Sequence, residues 1–365
     1  MLLTLLSPLI AEGIARAWYA GTTGDTGYLT FPDGGPFALQ RHALYGGPDD
    51  GSLRPLNPGW NEVYLRHSIW VNESGFRGRD FGDEPAALHE VVTLGGSSTL
   101  SADCPDGSSW PEILEQRLNE RHGEGSFAVV NRGMNGWAPS QVADLVEDDI
   151  AAREPAALIV YSAFNAIDYA GLRIDLRRGV APWHTRLLYG RSLYYTLLFH
   201  RYLQEQRREA GLSPEGNRDP EQTVRRYRQD LERLAHAASE EGIVVVFVLQ
   251  ALADATALRP ELMTTENDAR PQDENWDDLV EAFAASQPLH DRLVAEMTAV
   301  AEERGLVLID PRPALLAEPE ANFAFALHLL PPGATILADE IDTGLGSYEG
   351  GLLGLIGREG ASTGP

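Results

Sequence analysis

Five short apolar runs, separated by helical stretches, constrain the fold of this chain more than any other feature. They are Glu90–Leu94, Phe127–Asn131, Ala157–Tyr161, Ile243–Leu249 and Leu306–Ile309, each rich in Val, Ile, Leu or Phe. Strands buried on both faces read this way, continuous rather than alternating. Between them, Pro139–Arg153, Pro220–Glu241 and Leu289–Arg304 carry helical patterning. Asp219-Pro220-Glu221 is a helix start, and Gly242 and Gly305 are stops. The alternation predicts a doubly wound α/β sheet of parallel strands. In open sheets of that kind, ligands gather outside the carboxyl ends of the strands.

Around this core the chain divides further. Residues 1–16 open on an apolar run, Met1–Ile10, followed by Glu12 and Arg16. Ten residues are too few for a bilayer span, which needs about 20. The run reads equally as an amphipathic helix packed on the domain or as the remnant of a membrane anchor. Residues 17–86, rich in Gly, Pro and aromatics, read as a loop-rich N-terminal extension or cap. Residues 87–342 hold the alternating pattern, interrupted over 169–215 by a helical insertion. From 343 to 365 the glycine-rich composition predicts a flexible tail.

Charge excludes some partners. The net charge is −25, and every basic side chain other than histidine is arginine. Such a surface repels nucleic acid, so no nucleic-acid partner is expected. One cysteine, Cys104, allows no intrachain disulfide and no thiolate cluster. His67, His89, His122, His236 and His290 are scattered without metal-ligand spacing, so neither a metal nor a cofactor is expected.

The chemistry-bearing residues fall at the predicted strand ends. The first run ends in Gly95-Gly96-Ser97-Ser98-Thr99, a turn able to lift a serine above the sheet. After the second comes Asn131-Arg132-Gly133-Met134-Asn135-Gly136-Trp137, able to present a backbone N–H. After the third comes Ser162-Ala163-Phe164-Asn165, with a side-chain amide. His328 stands late, before Pro331-Pro332-Gly333. Together they compose an acyl-transfer site: Ser97 as nucleophile, His328 as base, and the Ser97 N–H, Gly136 N–H and Asn165 amide as oxyanion donors. Taken alone, each has an ordinary alternative: a plain or phosphate-binding turn, a structural histidine, a helix cap.

These blocks resemble the SGNH hydrolases, the GDSL esterase/lipase superfamily, in its bacterial Gly-Gly-Ser-Ser-Thr form. Gly95-Gly96-Ser97 resembles the first block, Asn131-x-Gly133-x-x-Gly136 the second, Ala163-Phe164-Asn165-Ala166 the third, and His328 with Pro332-Gly333 the fourth. The run Asn72-Glu73-Ser74-Gly75-Phe76-Arg77-Gly78 resembles a segment that precedes the first block in such proteins. The resemblance spans roughly residues 65 to 342. It implies a three-layer α/β/α fold, with a flavodoxin-like five-stranded parallel sheet, and hydrolysis of acyl esters on glycans, lipids or small molecules. Bacterial members often carry an N-terminal anchor, which favours a periplasmic or membrane-tethered location.

One departure bears directly on mechanism. The family's last block places an acid three residues before the histidine, where this chain has Phe325. Asp310, leaving the last predicted strand, is the first choice as substitute, although it also reads as a helix N-cap before Pro311. Asp339, Glu340 or a backbone carbonyl could serve instead. Three functional readings follow: a serine esterase or deacetylase, an O-acyltransferase of envelope polysaccharide, and a silent binding protein on the same fold.

Overall fold

The computed structural model describes residues 11–18, 63–64, 67–72, 76–79, 89–134, 137–169, 220–254 and 276–362. Two compact units divide the chain. The first comprises 1–58, 171–218 and 269–273. Within it only residues 11–18 are described, a helix in which Arg16 Nε donates to Glu12 Oε1 at 2.7 Å. The apolar run 1–10, the insertion from residue 170 onward and most of the 17–86 extension lie outside the described residues. Among those described, no helix is long and apolar enough to cross a membrane.

The second unit is built on a parallel sheet. Its strands are β1 (His89–Gly95), β2 (Phe127–Gly133), β3 (Ala157–Tyr161), β4 (Val244–Val248) and β5 (Val307–Ile309), in the order β2-β1-β3-β4-β5. All five strands of the sequence reading are present, with β2 running to Gly133 rather than Asn131. Val91 of β1 registers with Val129 of β2 on one side and Ala157 of β3 on the other. Residues 91–95 of β1 and every residue of β2, β3 and β4 are buried. The apolar runs are continuous for that reason: helices cover both faces.

One helical layer contains α2 (Trp110–His122), which packs on α7 (Pro331–Gly346). The other contains α3 (Pro139–Leu145) and α6 (Trp276–Arg304), each packed on α5 (Pro220–Glu240). In α5 the buried residues Val224, Tyr227, Leu231, Leu234 and Ala238 recur every three or four positions, the stripe an amphipathic helix turns inward. The helix expected from Leu289 begins earlier, at Trp276, and runs through Pro288. The result is the three-layer α/β/α arrangement that the SGNH resemblance implies.

The expectation of a flexible tail is corrected. α7 extends to Gly346, and α8 (Gly351–Ser362) follows. Leu352 is fully buried, and Leu355 and Ile356 pack against the same core. Spacings of three and four make an apolar face, which interleaved glycines conceal in the sequence.

The topology fixes where a site can form. β1 is followed by β2 on one flank, and the chain then crosses to β3 on the other. The crevice between the ends of β1 and β3 is the switch point of the sheet.

Candidate active site

Ser97 stands at that switch point. It opens the four-residue helix α1 (Ser97–Leu100), which begins two residues beyond β1. Both preceding glycines are needed by space. A Cβ on Gly95 would lie 2.3 Å from the Tyr161 carbonyl oxygen and 2.3 Å from Thr99 Oγ1. A Cβ on Gly96 would lie 2.3 Å from Asn165 Nδ2. Gly133 permits a third close approach: its Cβ would meet Leu100 N at 2.3 Å. The turn that carries Ser97 is thus pressed between β2 and β3. Asn131 fastens it from β2, its Nδ2 donating to the Thr99 carbonyl at 3.0 Å. Thr99 Oγ1 in turn donates to the Tyr161 carbonyl at 3.2 Å.

His328 begins the second strand of an antiparallel pair, β6 (Phe323–Phe325) with β7 (His328–Leu329). Its Nε2 lies 2.8 Å from Ser97 Oγ. Its Nδ1 lies 3.3 Å from Asp103 Oδ2. That contact orders the ring: a carboxylate beside Nδ1 favours the proton there, leaving Nε2 to accept from the serine hydroxyl. In the absence of substrate, catalytic contacts of this kind are often long and tighten in the complex.

Asp103 corrects the choice of Asp310. Arg312 holds Asp310 from three sides, with Nε on Oδ1 at 2.7 Å, Nη2 on Oδ2 at 2.7 Å and its backbone N–H on Oδ1 at 3.1 Å. Burial pushes the Asp310 carboxyl up, but the Arg312 side-chain and backbone hydrogen bonds outweigh it and hold it below the usual range. Asp339 is likewise occupied, by Arg117 Nε at 2.7 Å. Among the described residues, Asp103 is the carboxylate paired with the His328 ring.

The loop carrying Asp103 is held by local geometry and by one buried arginine. Ser101 adopts a left-handed conformation (φ 55°), ending α1 and turning the chain. Arg77, 1% exposed, reaches beneath the loop. It donates to the carbonyls of Leu100 at 3.3 Å, Cys104 at 3.0 Å and Pro105 at 3.0 Å, and also to that of Ser101. Five donors in a planar fork allow one side chain to hold four carbonyls. Burial pushes the neighbouring Cys104 thiol up to about 12, so it stays protonated and does not compete as a nucleophile.

The oxyanion side is partly described. As first residue of a helix, Ser97 has a backbone N–H without an intrahelical acceptor. Asn165 opens α4 (Asn165–Tyr169), and its Nδ2 donates one hydrogen to the Trp137 carbonyl at 2.8 Å. That bond fixes the amide orientation, with Nδ2 packed against Gly96. Gly136 lies outside the described residues. Among the described residues, no cluster of three His, Cys, Asp or Glu side chains could hold a metal.

Fold and site together define a class: a three-layer α/β/α protein with a Ser–His–Asp constellation at the switch point of its sheet. No protein-family model and no curated protein matches this chain. Among solved structures, it is similar to an alpha/beta hydrolase enzyme from the metagenome of Lake Arreo, Spain, at 16% identity and TM-score 0.44, over 72% of this chain and 98% of that one. A member of the lipolytic G-D-S-L family from Veillonella parvula matches at 15% identity and TM-score 0.41, over 71% and 99%. An acetylxylan esterase from Geobacillus stearothermophilus matches at 14% identity and TM-score 0.42, over 72% and 95%.

Proposed function

We propose that this protein is a serine ester hydrolase, acting on acyl esters of a glycan, lipid or small molecule. One observation carries the reading: the His328 ring bridges Ser97 Oγ at 2.8 Å and Asp103 at 3.3 Å. As Ser97 Oγ attacks the acyl carbon, its proton passes to His328 Nε2, and Asp103 stabilises the imidazolium that forms. The Ser97 N–H and the second hydrogen of Asn165 Nδ2 meet the developing oxyanion. Collapse expels the alcohol, which takes the proton from Nε2, leaving the acyl group on Ser97. Water then attacks the acyl-enzyme, with His328 again as base, and releases the acid. An acceptor alcohol in place of that water would make the same site a transferase, without altering any of these roles.

The test is labelling by a fluorophosphonate probe, together with hydrolysis of p-nitrophenyl acetate. Wild type is expected to label and turn over, and Ser97→Ala to do neither while keeping its thermal midpoint. A folded wild type that stays unlabelled, or a Ser97→Ala variant that still labels, would sink the reading.

A further inference from the structure

We infer that Gln250 is a positioning residue that sets the nucleophile turn, the Asn165 turn and the His328 segment in one register. The inference rests on the Ser97–His328 reading above. Gln250 lies two residues beyond β4, is 4% exposed, and has both ends of its amide engaged. Its Oε1 accepts from the backbone N–H of Ala163 at 2.9 Å and of Phe164 at 2.7 Å, the two residues before Asn165. Its Nε2 donates to Ser98 Oγ at 3.2 Å. Ser98 Oγ donates to the Leu327 carbonyl at 2.9 Å, one residue before His328.

The polarity of this relay follows from donor counting. Oε1 faces two N–H donors and must be the carbonyl end, so the other end must be the NH2. A hydroxyl has one proton, and Ser98 spends it on Leu327; it therefore accepts from Gln250. Gln250 to Ser98 to Leu327 is a one-way chain with no alternative assignment. Its three endpoints each lie one to two residues from a group that meets the reacting atoms. None of them is such a group itself, so the effect is on placement.

Placement matters at this scale because displacing reacting groups by about 1 Å can cost on the order of a hundredfold in rate. The His328 segment has other anchors that keep it folded without the relay. Ala253 N–H donates to the Ala326 carbonyl at 2.6 Å, and Cys104 Sγ to the Leu329 carbonyl at 3.4 Å. Loss of the relay is therefore expected to move His328 relative to Ser97 rather than unfold the site.

Two variants test this. Ser98→Ala removes the hydroxyl link and leaves both Oε1 bonds. Gln250→Glu keeps an acceptor for Ala163 and Phe164 but offers no N–H to Ser98. Each is expected to lower kcat and the fluorophosphonate labelling rate by about ten- to a hundredfold, with KM unchanged. The double variant should be no slower than the slower single one, because both break the same chain. Wild-type kcat and labelling rate in Ser98→Ala would overturn the inference, and so would effects that multiply in the double variant. Should Gln250→Glu not fold, Ser98→Ala decides alone. Failure of the underlying reading appears separately, as an unlabelled wild type or a labelled Ser97→Ala.

Discussion

Asp103 and Ser97 are six positions apart, yet they take opposite nitrogens of the same imidazole, that of His328. The proposed acid thus follows the proposed nucleophile along the chain instead of preceding the base. Asp103→Asn is expected to lower kcat by about three to four orders of magnitude, by favouring the wrong histidine tautomer. Asp310→Asn should leave kcat within about twofold and cost up to ~1 kcal/mol, since its partner is partly exposed Arg312. Steady-state hydrolysis of p-nitrophenyl acetate by both variants decides between the two aspartates. An equal loss in both would reject the assignment of Asp103.

Gly96 and Asn165 make a second pair whose coupling is open to measurement. Gly96 has φ −89° and ψ −149°, and a methyl there has no room beside Asn165. Its methyl would press on Asn165 Nδ2. Displacing that donor is expected to lower kcat by about a hundredfold or more, the usual cost of losing one oxyanion hydrogen bond. Asn165→Ala should match it, and the double variant should fall no further. Additive losses would show that the two act apart.

Arg77 supports the Asp103 loop from within the fold. Arg77→Met would take a donor from four carbonyls and leave those of Leu100 and Cys104 without a partner among the described residues, with a predicted loss on the order of 3 kcal/mol in urea unfolding. Arg77→Lys should recover only part, because an ammonium cannot span the same carbonyls. Full recovery by lysine would show that charge alone is what the loop requires.

His290 gives the fold an acid limit. Burial pushes its pKa down to about 4 from an ordinary 6.5, and neither ring nitrogen has a hydrogen-bond partner among the described residues. The sign follows from proton counting. Below pH 6.5 the unfolded chain binds a proton that the folded chain refuses until about pH 4, so stability falls as pH drops through that window. The loss is on the order of 3 kcal/mol by pH 4. His290→Leu should flatten this limb. Urea midpoints at pH 7 and pH 4.5, compared between wild type and variant, give the check; parallel pH trends would exclude His290 as the cause.

Much of this was legible in the residues. Strands buried on both faces announce themselves as unbroken apolar runs, and Gly95-Gly96-Ser97 at the end of one marks the switch-point turn. Ser97 and Asn165 could be named because each follows a strand whose end is readable, and His328 because it stands just before the Pro331-Pro332-Gly333 helix start. Asp103 could not be named, because it sits on an irregular loop without periodicity. Its partner is chosen by how Arg77 and the left-handed Ser101 fold that loop back. Phe325 at the expected acid position drew attention to strand ends, and so to Asp310. Gln250 had one available sign, a polar side chain directly after the apolar run of β4, but the sequence does not show what it meets. The helix α8 was concealed by its glycines, since Leu352, Leu355 and Ile356 declare a face only once the backbone is helical.

Because Ser97 and Asp103 sit on one arginine-clamped turn, the chain delivers the proposed nucleophile and acid together as a preset cassette. Only His328 has to arrive from afar. Segments spliced into the chain between that turn and the histidine, whatever their length, leave the cassette's inner spacing intact. A chain so wired can accept insertions between the turn and the histidine without retuning the spacing of Ser97 and Asp103.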